Sequence, residues 1–125
     1  MKVLLAEDDQ NVAIITQLCL ERLGGHQVTH VADGEQALQL AMKQNFDLIL
    51  LDGMMPKRNG VAVAEELARQ GRTQTPIIFL SAKSEEKDLN LFLSLGAGYI
   101  GKPFDPQTIC ATIDGILKKA GKLAA

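Results

Sequence analysis

Hydrophobic and polar positions follow two different periods along this chain, and the period switches back and forth five times. Short apolar runs of extended character occupy Lys2–Ala6 (KVLLA), 26–31, 48–51 (LILL), Ile77–Ser81 (IIFLS) and 98–100 (GYI). Residues 26–31 alternate with period two, as a strand with one wet face should, whereas LILL is apolar without interruption and predicts a strand buried on both faces. The stretches between these runs carry apolar residues three and four apart. They predict helices over 10–23, 34–44 and Gly60–Arg69, a fourth capped by Ser84 and stopped by Gly96, and a last one opened by Asp105-Pro106. Asp9 immediately precedes the first helix and Asp33 the second, both in N-cap position, while Gly24-Gly25 closes the first. The last helix has a clean stripe of Ile109, Cys110, Ile113, Ile116 and Leu117.

Strict alternation of strand and helix predicts an α/β fold, with a parallel sheet covered by helices on both faces. In open sheets of this kind ligands bind beyond the carboxyl ends of the strands. The informative residues are therefore those that follow each strand: Glu7, Asp8 and Asp9 after the first, Asp52 after the third, Ser81 closing the fourth, and Lys102-Pro103 after the fifth. Any one of these acids could simply cap a helix, as Asp9 is expected to do. Together they predict a pocket holding several carboxylates, a hydroxyl and one ammonium. Two carboxylates about 4 Å apart repel by roughly 4 kcal/mol at an effective dielectric near 20, and Lys102 offsets only part of that. The missing counter-charge is a hard cation, and Mg²⁺ suits oxygen ligands with room left for water and phosphate.

Composition narrows the picture further. A length of 125 residues suits one domain spanning 1–125, and 46% apolar with 22% charged residues is ordinary for a globular protein. No apolar run is long enough to span a bilayer and no signal peptide opens the chain, so a cytoplasmic location without membrane contact is expected. Thirteen basic against fifteen acidic residues, a net charge of −2, give no global attraction for nucleic acid. Lys118, Lys119 and Lys122 form the basic cluster, which complements the end of a helix. Cys19 and Cys110 lie in apolar helical contexts without metal spacing and are expected to be small buried hydrophobes.

In the stretches VLLAEDD, LILLDGMMP, IIFLSA and GYIGKPF the chain resembles the receiver domain of two-component response regulators, over essentially its whole length. The resemblance implies a doubly wound, flavodoxin-like (βα)5 fold with strand order 2-1-3-4-5. It implies that Asp52 is the phospho-acceptor, and that Glu7 (through water), Asp8, Asp52 and the backbone carbonyl of Met54 hold Mg²⁺. By the same resemblance Ser81 hydrogen-bonds the phosphoryl group, Lys102 pairs with one of its oxygens, Tyr99 is the switch aromatic, and the Lys102-Pro103 peptide is cis. The donor would be a sensor histidine kinase or histidine phosphotransfer protein. The output would be a changed surface around the fourth helix, fifth strand and fifth helix, read by a downstream protein or by a phosphorylation-dependent homodimer. Such a protein is a switch that catalyses only its own phosphorylation and dephosphorylation. It would be freestanding, or a receiver cut from a larger regulator or hybrid kinase. Ala82 is small enough to leave an approach path, and Lys83 and Met54 are the positions expected to tune hydrolysis of the phosphoryl group.

Two helical surfaces invite prediction. On the first helix Val12, Ile15 and Cys19 form a core stripe that leaves Ile14 and Leu18 outward, a candidate docking pair unless the helix is buried more widely. The fourth helix carries two stripes, Leu89/Phe92/Leu93 and Leu91/Leu95, of which one should face the sheet.

Other readings fit less well. A haloacid-dehalogenase-type phosphohydrolase wants a second acid two residues after the nucleophile, where Met54 stands, and a cap domain. A flavodoxin-like electron carrier needs a phosphate cradle after the first strand, where Glu7-Asp8-Asp9 would repel phosphate. GAGYIG (96–101) matches a dinucleotide fingerprint but runs into Pro103, not a helix. His26 and His30 are expected on the solvent-tolerant face of a lateral strand rather than as a metal pair.

Overall fold

The computed structural model describes residues 1–55, 57–72, 74–82 and 89–121 of the chain. Among the described residues five strands, β1 (Lys2–Ala6), β2 (Gln27–Val31), β3 (Leu48–Asp52), β4 (Ile77–Ser81) and β5 (Gly98–Gly101), alternate with five helices. The helices are α1 (Gln10–Arg22), α2 (Gly34–Lys43), α3 (Gly60–Arg69), α4 (Leu89–Leu95) and α5 (Ile109–Lys119). All strand pairs are parallel and the order is β2-β1-β3-β4-β5, the doubly wound topology expected of the chain.

The sheet separates two cores, and the period-two geometry of a strand decides which residue enters which. Leu4, Ala6, Ile49, Leu51, Ile77 and Phe79 face α2, α3 and α4. Their neighbours Val3, Leu5, Leu48, Leu50, Ile78 and Leu80 face α1 and α5. This two-sided burial explains why LILL and IIFL are apolar throughout: every residue of β3 and β4 is buried. The edge strands β2 and β5 are only half covered, and their sequences alternate accordingly. Phe92 of α4 stacks on Phe79 with ring centroids 4.6 Å apart.

The caps predicted at Asp9 and Asp33 form: Asp9 accepts from the amides of Asn11 and Val12, and Asp33 from Gln36; Asn59, not singled out from sequence for this role, caps α3 by accepting from Ala62. The start predicted for the last helix needs correction. Asp105 Oδ1 does accept from the Gln107 amide at 2.9 Å, but it caps a turn over 106–108 that leads into the helix, and α5 itself begins at Ile109 behind Thr108. The Ser84 cap lies outside the described residues, as do Lys83 and Lys122. On α1 the stripe differs as well. Ala13, Thr16 and Leu20 are the buried residues, Val12 and Cys19 are half-buried, and Ile15 is exposed beside Ile14 and Leu18. Small residues let α1 lie close to the sheet, and Thr16 is tolerated there because its hydroxyl donates to the Val12 carbonyl at 2.7 Å. On α4 neither predicted stripe is buried whole. Phe92 is covered, Leu89 and Leu95 are half-covered, and Leu91 and Leu93 are exposed. Cys19 and Cys110 are half-buried, with the Cys110 thiol 3.7 Å from the Cys19 carbonyl.

His26 lies one residue before β2, the strand that carries His30. Its Nδ1 accepts from the Met1 ammonium at 3.1 Å, and burial followed by that positive charge holds its pKa below the ordinary histidine value. No helix among the described residues is long and apolar enough to cross a membrane.

Candidate functional site

Parallel register brings the carboxyl ends of β1, β3, β4 and β5 side by side. Ala6 pairs with Leu51, Asp52 with Leu80, and Ser81 with Gly101. One residue beyond β1, Glu7 is wholly buried. Its amide donates to the Val31 carbonyl at 3.1 Å, its carbonyl accepts from His30 Nε2 at 2.8 Å, and its Oε2 accepts from the Asp9 amide at 3.2 Å. Asp8 is exposed at the mouth, and Asp9 turns away to cap α1. Asp52 closes β3 with its carboxylate almost wholly covered; Oδ1 accepts from the Met54 amide at 3.1 Å.

Oxygens of Glu7, Asp8 and Asp52 all lie within 4.8 Å of one another. Lys102 reaches in from the end of β5, with Nζ 2.6 Å from Glu7 Oε1 and 3.1 Å from Asp52 Oδ2. Glu7 Oε1 takes no hydrogen bond of good geometry among the described residues, so contact with the ammonium is what meets its charge. Among the described residues, the one ammonium of Lys102, paired with Glu7 and Asp52, against three carboxylates leaves the cluster negative. Burial, then the neighbouring Glu7 carboxylate, push the Asp52 pKa up to about 6, against the pull of Lys102. Burial, then Asp52, raise Asp8 as well. For Lys102, burial works to lower the pKa, but hydrogen bonding to Glu7 and the charges of Asp52 and Glu7 outweigh it and raise the value.

Ser81 is buried, its hydroxyl donates to the Ala82 carbonyl at 3.2 Å, and its own carbonyl accepts from the Lys102 amide at 2.7 Å. Tyr99 pairs in register with Phe79, two residues before Ser81, so both side chains emerge on the α4 side of the sheet; Tyr99 is solvent-exposed. The Met54 side chain is exposed and the Lys102-Pro103 peptide is cis. Of the residues singled out from sequence, the structure thus gathers Glu7, Asp8, Asp52 and Lys102 into one cluster. Met54 and Ser81 border it through the backbone, and Tyr99 stands apart from it. The His30 contact with Glu7 carried no sequence signal, because a histidine in an alternating edge strand looks like any solvent-facing polar residue.

The donor set suits a hard divalent cation. Three oxygen ligands sit close together, burial and the neighbouring carboxylates make Asp52 and Asp8 hold protons more tightly than usual, and among the described residues a buried Glu7 oxygen has an ammonium against it.

Residues 3–114 match the model of the response regulator receiver domain. The chain belongs to that family. Receiver domains are components of two-component systems, where they interact with histidine kinases, and Mg²⁺ is general for them. This receiver is 41% identical over 120 residues to the alkaline phosphatase synthesis transcriptional regulatory protein PhoP of Bacillus subtilis, covering 95% of this chain and 49% of that protein. It spans about half the length of the curated relatives it matches. The receiver domain of the Pseudomonas aeruginosa sensor histidine kinase PA1611, solved with a magnesium ion in its active-site cleft, superposes with a TM-score of 0.79 at 31% identity, covering 96% of this chain and 97% of that one. The Vibrio cholerae chemotaxis response regulator CheY4 superposes with a TM-score of 0.82 at 31% identity, covering 93% and 98%.

Proposed function

We propose that this receiver takes a phosphoryl group from the phosphohistidine of a sensor histidine kinase or histidine phosphotransfer protein onto Asp52. The observation that carries the reading is a nearly covered carboxylate fixed at the end of a rigid strand, 3.1 Å from the Lys102 ammonium and grouped with two further acids.

An Asp52 oxygen attacks phosphorus as the donor's P–N bond breaks, and that bond's electron pair leaves on the imidazole nitrogen. The new P–O bond makes an acyl phosphate. Such transfers ask mainly for positioning and for neutralisation of the transferred oxygens. The Asp52 oxygen is pre-positioned by the Met54 amide and by its place at the end of a strand buried along its whole length. Lys102 already sits between the carboxylates and is placed to follow charge onto the phosphoryl group. Glu7, Asp8, Asp52 and the Met54 carbonyl are the groups that would hold Mg²⁺. When bound, the ion supplies Lewis-acid neutralisation of phosphoryl oxygens.

A phosphoryl group brings nearly two negative charges and three strong acceptors to the end of β3. Ser81, whose hydroxyl now bonds only its neighbour's carbonyl in the described contacts, is the group nearest at hand on β4 to turn and donate. Movement there is read along the α4–β5–α5 surface, where Tyr99, Leu91 and Leu93 are exposed. The state so biased is offered to a downstream protein or to a second phosphorylated copy. The protein acts as a switch, not as an enzyme with a separate substrate. Incubation with a small phosphodonor and Mg²⁺ tests this: labelling of the wild type and none of Asp52→Asn supports it. Stoichiometric labelling of Asp52→Asn, or turnover of a generic phosphomonoester in the manner of a phosphohydrolase, overturns it.

A further inference from the structure

The loop between β3 and α3 contains Lys57, whose φ of 67° puts a side-chain-bearing residue in the left-handed region. L-residues enter that region at a cost and stay only where their surroundings hold them. Here the surroundings are the first turn of α2. Arg58 Nε donates to Glu35 Oε2 at 3.0 Å, and Lys57 Nζ lies 3.6 Å from Asp33 Oδ2. Asp33 is itself fixed, being buried and bonded through Oδ1 to the Gln36 amide at 2.8 Å. Between the two ion pairs the Arg58 carbonyl lies so close to Gly34 that a Cβ there would come within 1.7 Å of it. Backbone is therefore seated on backbone, with a charge pair on each flank.

The same loop begins at Asp52. The Met54 amide bonds Asp52 Oδ1, the Gly53 amide bonds the Leu80 carbonyl at 3.0 Å, and the Gly60 amide bonds the Gly53 carbonyl at 3.3 Å. Met54 is thus held from one side by the acceptor carboxylate, and the strained part of its loop is held from the other side by α2.

We propose that Glu35 and Arg58, assisted by Asp33 and Lys57, are positioning residues. They clamp the β3–α3 loop to α2 so that the Met54 backbone stays where Asp52 and a cation need it. The proposal rests on the functional reading above, in which that backbone serves the site. Neither residue touches the acidic cluster, so any effect of theirs on it passes through the loop.

The test uses Arg58→Gln, Glu35→Gln and the double variant in the full chain. The metal-free readout is hydrogen exchange of the Met54 amide; the loaded readout is Mg²⁺ affinity by calorimetry. Each single variant should speed exchange at Met54 and weaken Mg²⁺ binding by about threefold to fivefold, the scale of one partly exposed ion pair. The double variant should be no worse than Arg58→Gln alone, because both substitutions break one contact. A merely structural pair would lower the urea midpoint and leave Met54 exchange and Mg²⁺ affinity at wild-type values, and that result overturns the clamp. Additive losses in the double variant overturn it too. A wild type that takes up no Mg²⁺ defeats the functional reading itself, whereas variants matching a binding-competent wild type defeat only the clamp.

Discussion

Replacing Asp52 by asparagine should make the metal-free protein more stable at alkaline pH, because the carboxylate it removes is held there against its own electrostatics. In the folded chain burial and Glu7 raise the Asp52 pKa to about 6, against an ordinary value of 3.8. A gap of about two units is about 3 kcal/mol at 1.36 kcal/mol per unit. The sign follows from proton binding: between pH 4 and 6 the native state holds the Asp52 proton that the unfolded chain releases. Wild-type stability therefore falls as pH rises through that window and stays lowered above it. Asparagine has no proton to lose and keeps the shape of the neutral acid. At pH 8 without metal, Asp52→Asn should gain about 2–3 kcal/mol, and at pH 4 the difference should shrink to about half a kcal/mol. Urea unfolding at both pH values in chelator-treated buffer measures it. Adding Mg²⁺ should then stabilise the wild type by mass action and the variant much less, closing the gap from the other side. A variant no more stable than wild type at pH 8, or a gap that does not change with pH, would refute the electrostatic account.

Lys102→Met should do the reverse. It leaves the fully buried Glu7 and the covered Asp52 without their shared cation, at a cost of about 3 kcal/mol in metal-free buffer, and it should push the Asp52 pKa above its present value in a carboxyl-carbon NMR titration. Gly60→Ala should destabilise by about 1–3 kcal/mol even though alanine is the better helix former. Its Cβ would stand 2.5 Å from the Asp52 backbone carbonyl, which no rotamer change can relieve, and the urea midpoint reports the loss.

Much of this architecture is legible in the order of residues, for a physical reason. A strand buried on both faces has no polar position to spare, so LILL and IIFL announce themselves, and a carboxylate placed directly after one stands out. Because parallel strands end together, residues far apart in sequence, Glu7, Asp52, Ser81 and Lys102, are assigned to one end of the sheet by the alternation of strand and helix alone. The errors arise where two patterns share one period. On α1 both Val12/Ile15/Cys19 and Ala13/Thr16/Leu20 repeat at helical spacing. Hydrophobicity favours the first, but close packing against the sheet selects the smaller side chains. At α5, an aspartate-proline pair opens a turn over 106–108 that leads into the helix, so the signal lies ahead of the first helical residue, Ile109. The ion pairs from α2 to the β3–α3 loop were invisible, since Glu35 and Arg58 each look like an ordinary surface charge until the fold brings them to 3.0 Å.

The most direct test of the central claim is the chemical address of the phosphoryl group. The wild-type protein should be exposed to a small phosphodonor with Mg²⁺, trapped at the acyl phosphate, digested and mapped by mass spectrometry. The account predicts a single phosphoryl adduct, at Asp52, absent when the metal is chelated. An adduct at His26, His30 or Ser81, or one at Asp52 that forms equally well without divalent metal, would contradict it.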